Sequence, residues 1–159
     1  RNFTEFLHQY FKSDPGDMVT ADGKIVGKHD GIMFYTLGQR QGLGIGGGHG
    51  EKEEPWYVVD KDLENNQLIV AQGHNHPGLF HSRLTVEELH WVSNEAPSAG
   101  KLTVKIRYRQ EDQFCSFELD NSIAEVSFDE PQFAVTPGQA AVFYDGDICL
   151  GGGTIENRN

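Results

Sequence analysis

The chain has 159 residues, 37% of them hydrophobic, and its 13 basic against 24 acidic side chains leave a formal charge of −11. That length suits one domain or two small ones, and no apolar run approaches the roughly 18 residues that a membrane-spanning helix needs. The acidic balance argues against indiscriminate nucleic-acid binding, which is driven by phosphate neutralisation, so any RNA contact has to come from a local basic cluster.

Residues 1–12, RNFTEFLHQYFK, place Phe3, Phe6, Leu7, Tyr10 and Phe11 at helical i, i+3, i+4 spacing. This predicts an N-terminal amphipathic helix that continues from residues further upstream, so the chain reads as a piece of a longer protein. Asp14-Pro15-Gly16 ends the helix, through the restriction proline places on its predecessor. Residues 17–31 read as a hairpin turning at Ala21-Asp22-Gly23. A short apolar segment then runs into a loop with glycine at 38, 42, 44, 46, 47, 48 and 50. Gly42, Gly44 and Gly47 satisfy G-x-G-x-x-G, yet the loop runs on through GHGEKEEP into a strand-like segment. A dinucleotide fingerprint needs a helix starting inside it, so the loop reads as a connection packed against a neighbouring domain or a ligand backbone. Residues 56–60 and 67–72 predict two strands joined through Asn65-Asn66. These elements form a first small domain, residues 1–78, that ends at His74-Asn75-His76-Pro77-Gly78.

Residues 79–159 are β-like throughout. Six segments, 84–92, 101–109, 114–119, 123–128, 140–144 and 148–155, with turn residues between them, suggest a sandwich or a small closed barrel. Asp145-Gly146 is the strongest hairpin signal, and Thr136-Pro137-Gly138-Gln139 has the proline-then-glycine order of a type II turn. Cys115 and Cys149 have no C-x-x-C spacing and read as two buried thiols in a reducing cytoplasm. Trp56 and Trp91 read as core anchors.

Lys101, Lys105, Arg107 and Arg109 are all odd-numbered, so on one regular strand they share a face, with Leu102, Val104, Ile106 and Tyr108 on the other. A solvated outer strand explains this pattern, and so does a polyanion-binding stripe on an acidic protein. His74, His76 and His81 lie close in sequence but lack a carboxylate or thiol at ligand spacing, so no metal is expected. No nucleophile–base triad and no Walker lysine can be argued from spacing.

The run YTLGQR (35–40) followed by GLGIGG (42–47) resembles the central-domain signature of the tRNA-specific 2-thiouridylases. EEPWYVVDKD (53–62), IRYRQ (106–110) and FDEPQFAVTPGQAAVFYDGDICLGGG (128–153) are similar to that family in the same order. The resemblance implies a mainly β fold. A small α+β central domain built on β-hairpins, with helix 1–12 continuing from a catalytic domain, precedes a C-terminal six-stranded β-barrel over residues 79–159. It implies an enzyme that thiolates C2 of the wobble uridine of tRNA, after ATP-dependent adenylation and with sulfur from a cysteine persulfide. The PP-loop and the sulfur-carrying cysteine belong upstream of Arg1, so no catalytic residue, cofactor or metal is expected here and the piece alone is expected to be inactive. ATP, a persulfide donor and a sulfur-relay protein would serve the full-length enzyme in the cytoplasm, with no membrane involved.

The resemblance also implies that Arg107, Tyr108 and Gln139 contact the anticodon arm region of the tRNA, with Lys105 and Arg109 as further candidates. Because Arg107 and Tyr108 face opposite ways on a regular strand, the strand has to bulge or end there if both touch RNA. The alternatives from other classes are a β-barrel module that binds a protein and a histidine-metal enzyme.

Overall fold

The computed structural model describes residues 14–47, 54–107 and 110–159, so the helix expected over residues 1–12 lies outside the described residues. Backbone contacts divide the chain between Leu79 and Phe80 into two compact units. Among the described residues helix is limited to two short 3-10 turns, Ile32–Phe34 and Pro77–Leu79. None is long and apolar enough to cross a membrane.

The first unit is a four-stranded sheet in the order β2-β1-β4-β3, formed by β1 (Gly16–Val19), β2 (Ile25–His29), β3 (Trp56–Asp62) and β4 (Gln67–Gln72). β1 pairs antiparallel with β2 and parallel with β4, while β3 and β4 form an antiparallel hairpin. In the β3–β4 turn only Asn66 is left-handed, with φ 52°. Met18, Val26, Val58, Leu68 and Val70 alternate inward to make the core, and half-buried Trp56 packs against it.

The glycine loop contributes to that core. Gly42 and Gly44 take φ of 76° and 65° on either side of Leu43, which is buried. Left-handed backbone on both sides, cheap only for glycine, dips the chain so that Leu43 enters the core and Ile45 packs beside it. The loop is also tied to β3: Gly38 N–H donates to the Val58 carbonyl at 2.7 Å, and Val58 N–H to the Gln39 carbonyl at 3.0 Å. Close by, His29 is buried. Its Nδ1 accepts from Gly31 N–H at 3.1 Å, so Nε2 carries the proton and faces the Asn66 carbonyl at 2.9 Å.

The second unit is a closed six-stranded barrel of β5 (Phe80–Trp91), β6 (Gly100–Lys105), β7 (Gln113–Asp120), β8 (Ile123–Phe133), β9 (Ala140–Asp145) and β10 (Ile148–Arg158). The strand order is β10-β5-β8-β7-β6-β9, closing on β10, and every pairing is antiparallel. Closure leaves no free sheet edge. The inward residues include Val86, Val104, Phe117, Val126, Ala141 and Phe143. The rings of Trp91, Phe117 and Phe143 meet with centroids 5.2–5.9 Å apart, a spacing that favours edge-to-face contact.

Two expectations need correction. The segment 101–109 is not one strand: β6 stops at Lys105 and Arg107 lies in a bend. The reason is local, because Ile106 N–H donates to the Gln110 side-chain oxygen at 2.9 Å instead of to a neighbouring strand. Nor are both thiols buried. Cys115 points into the core, whereas Cys149 is exposed on the outer wall, where it pairs across the ladder with the outward-facing Tyr144.

Candidate nucleic-acid interface

The outer wall of β6 and β9 carries the residues that the sequence picked out. On β9, Ala141 and Phe143 are buried inward, which turns Val142 and Tyr144 outward. Register then sets Lys105 opposite Val142 and Thr103 opposite Tyr144. Lys105, Ile106 and Arg107 from the end of β6 and Gln139, Ala140, Val142 and Tyr144 from β9 line one open cleft of roughly 570 Å³. Arg107 and Gln139, 32 positions apart in the chain, are thereby brought to a single concavity. Tyr108 and Arg109 lie outside the described residues.

Gln139 is held by its backbone. It closes the type II turn by donating to the Thr136 carbonyl at 3.2 Å, and its own carbonyl accepts from Ile155 N–H at 2.8 Å. Gly138 supplies the turn's left-handed residue, with φ 90°. With both backbone groups engaged, the exposed side-chain amide has no partner among the described residues and is presented to solvent.

The cations differ from one another. Lys101 Nζ sits 2.8 Å from Asp129, and Lys105 Nζ 3.4 Å from Asp112 and 5.2 Å from the centre of the Tyr144 ring. Each of these lysines is therefore neutralised locally. Arg107 makes no ion pair among the described residues. Its guanidinium lies 5.3 Å from the centre of the Phe133 ring, an arrangement that fixes a cation without cancelling its charge. Partial desolvation lowers its pKa from the ordinary value, and a guanidinium stays cationic through such a shift. The cleft thus offers one uncompensated planar cation, one free amide and an aromatic-aliphatic floor. Guanidinium suits the geometry of phosphate oxygens, and Tyr and Val offer a surface to a ribose or base.

A second concavity of similar size, lined by Arg83, Thr85, Ser116, Glu118, Glu125 and Ser127, is a poorer seat for a polyanion. Glu118 and Glu125 face each other across its wall. Among the described residues no group of His, Cys, Asp and Glu side chains is disposed to hold a metal ion. No α-helix among the described residues offers an N-terminus to a phosphate. Burial pushes the Cys115 thiol up to about 11, far from the thiolate that sulfur transfer needs.

Sequence reasoning missed Tyr144, Phe133 and the acidic partners of the lysines. Cross-strand register places Tyr144 beside β6, while Phe133 and Asp112 come from the end of β8 and from just before β7, and no local pattern encodes these contacts.

Two family models match the chain: the tRNA methyl transferase PRC-barrel domain over residues 4–72 and the aminomethyltransferase beta-barrel domain over residues 81–155. Similar curated proteins include the tRNA-specific 2-thiouridylase MnmA of Salmonella arizonae, 58% identical over 99% of this chain and 44% of the relative. The proteins of the same name from Enterobacter sp. strain 638 and Shewanella sp. strain MR-4 are 59% and 54% identical, over 99% and 98% of the chain and 43% and 42% of the relatives. The chain spans less than half the length of these relatives, and across the part it spans it is similar to the tRNA-specific 2-thiouridylases and matches the two domain models in turn.

Proposed function

We propose that this chain is the tRNA-gripping portion of a tRNA-specific 2-thiouridylase, and that Arg107, Tyr108 and Gln139 make the grip, with Lys105 and Arg109 beside them. The supporting observation is the cleft on the β6–β9 wall, where an uncompensated guanidinium and a free amide share one concavity with the Tyr144 ring. Arg107 takes a backbone phosphate, Gln139 hydrogen-bonds a sugar or base edge, and Val142 and Tyr144 form the floor. Lys105, clasped by Asp112, adds its charge once a phosphate competes for it.

In the full-length cytoplasmic enzyme the activity is thiolation of the wobble uridine at C2. ATP would supply activation of that oxygen and a persulfide cysteine, fed by a sulfur-relay protein, would supply the sulfur. This chain's residues orient the anticodon arm and take no part in the bond changes. Binding of anticodon-stem RNA, measured at two salt concentrations, tests the reading. Affinity that falls as salt rises is expected. An RNA that fails to bind at either salt concentration would leave the barrel as a protein-interaction module.

A further inference from the structure

Gln132 on β8 is a buried amide, only 6% exposed, and its bonds run in one direction. Its Nε2 donates to Gln113 Oε1 at 3.1 Å and to the Glu130 carbonyl at 2.9 Å, and its Oε1 accepts from Gln110 Nε2 at 3.1 Å. Gln110 passes the connection on. Its Oε1 accepts from Ile106 N–H at 2.9 Å, and its own N–H donates to the Arg107 carbonyl at 3.3 Å. Gln113 Nε2 donates to the Glu111 carbonyl at 3.0 Å. Three glutamines thus tie the end of β6 and the start of β7 to the end of β8.

Stability alone does not require this arrangement, because replacing all the partners together by apolar groups can be nearly neutral, whereas removing one leaves the others unsatisfied. What the network does fix is the backbone at Ile106 and Arg107. Phe133, the next residue on β8, holds the Arg107 guanidinium from the other end. Both ends of Arg107 are set before any ligand arrives, which removes ordering entropy from binding.

We propose that Gln132 and Gln110 are positioning residues that preset Arg107 for phosphate contact. This rests on the tRNA-gripping reading. A double-mutant cycle in the full-length enzyme, with an unmodified tRNA transcript carrying a wobble uridine as probe, tests it. Gln132→Met is expected to weaken tRNA binding about three- to ten-fold in the wild-type background and to have no further effect once Arg107→Ala is present. Gln110→Ala, which removes no apolar side chain from the barrel core, should repeat the pattern and speed hydrogen exchange at the Ile106 amide while the melting temperature stays within a few degrees. Equal losses in both backgrounds, or wild-type affinity for Gln132→Met and Gln110→Ala, would overturn the proposal. If Arg107→Ala itself binds tRNA normally, the gripping reading fails, and the latch has no contact to preset.

Discussion

Lys101 and Arg107 look alike as positions in a basic alternation, but their surroundings make them unlike. The Lys101 ammonium is spent on Asp129, at 68% side-chain exposure, and a surface pair of that kind contributes little to stability and presents no net charge. Lys101→Ala is therefore expected to leave tRNA affinity within about two-fold of wild type, since an exposed pair is worth 0–1 kcal/mol, as read by a binding titration. Gln139→Ala removes one presented amide and should weaken tRNA binding by about 1 kcal/mol, the usual net worth of a hydrogen bond, which the same titration measures.

The two thiols divide in the same way. In the native protein a maleimide should modify Cys149 and spare Cys115 until denaturant is added, read by mass spectrometry. Burial holds the Cys115 thiol at about 11 against an ordinary value of 9.0. Unfolding restores the lower value, so this contribution is fully present below pH 9 and is lost as pH rises through 11. A two-unit rise at about 1.4 kcal/mol per unit puts the loss near ~3 kcal/mol. Urea melts of wild type and Cys115→Ala between pH 8 and pH 11 should diverge accordingly.

Among the elements, β10 shows why a strand can carry three consecutive glycines. A Cβ on Gly151 would stand 2.1 Å from the His90 carbonyl oxygen, on Gly152 2.1 Å from that of Ala141, and on Gly153 2.3 Å from that of Glu87. β10 is bulged on both sides here, against β9 between Cys149 and Gly151 and against β5 between Gly152 and Thr154. The bulges draw both neighbouring backbones inward at the barrel's closing seam, where a side chain has no room. Gly152→Ala should destabilise the barrel by roughly 2 kcal/mol or more, on the scale of core overpacking, seen as a lower urea midpoint.

Much of this architecture was legible in sequence. Alternation and turn chemistry located all six barrel strands, and Gly138 and Gly146 sit where their turns require. The strand ends were not legible. β8 runs on to Phe133 and β10 to Arg158, because ladder partners across the barrel, not local propensity, carry them further. The early stop of β6 was hidden for a similar reason: the group that captures Ile106 N–H is the side chain of Gln110, a residue that reads as ordinary loop polarity. At the candidate site, residue types were readable, while the ion pairs that separate Lys101 and Lys105 from Arg107 depend on which carboxylates the register brings near.

At the scale of the molecule, a net charge of −11 repels a polyanion at long range, so the proposed grip on tRNA has to rest on short-range contacts at a small patch. The chain itself, supplied with ATP, a persulfide donor and tRNA, is expected to form no 2-thiouridine, as checked by nucleoside mass spectrometry. Formation of the thiolated nucleoside would place chemistry in residues to which this account gives only binding.

The most direct test of the central claim is the salt dependence of tRNA binding by the full-length enzyme and its Arg107→Ala variant. If Arg107 neutralises one phosphate, the slope of log affinity against log salt becomes shallower by about 0.7–0.9, while Lys101→Ala keeps the wild-type slope. An unchanged slope for Arg107→Ala, or the same change for both variants, would contradict the account.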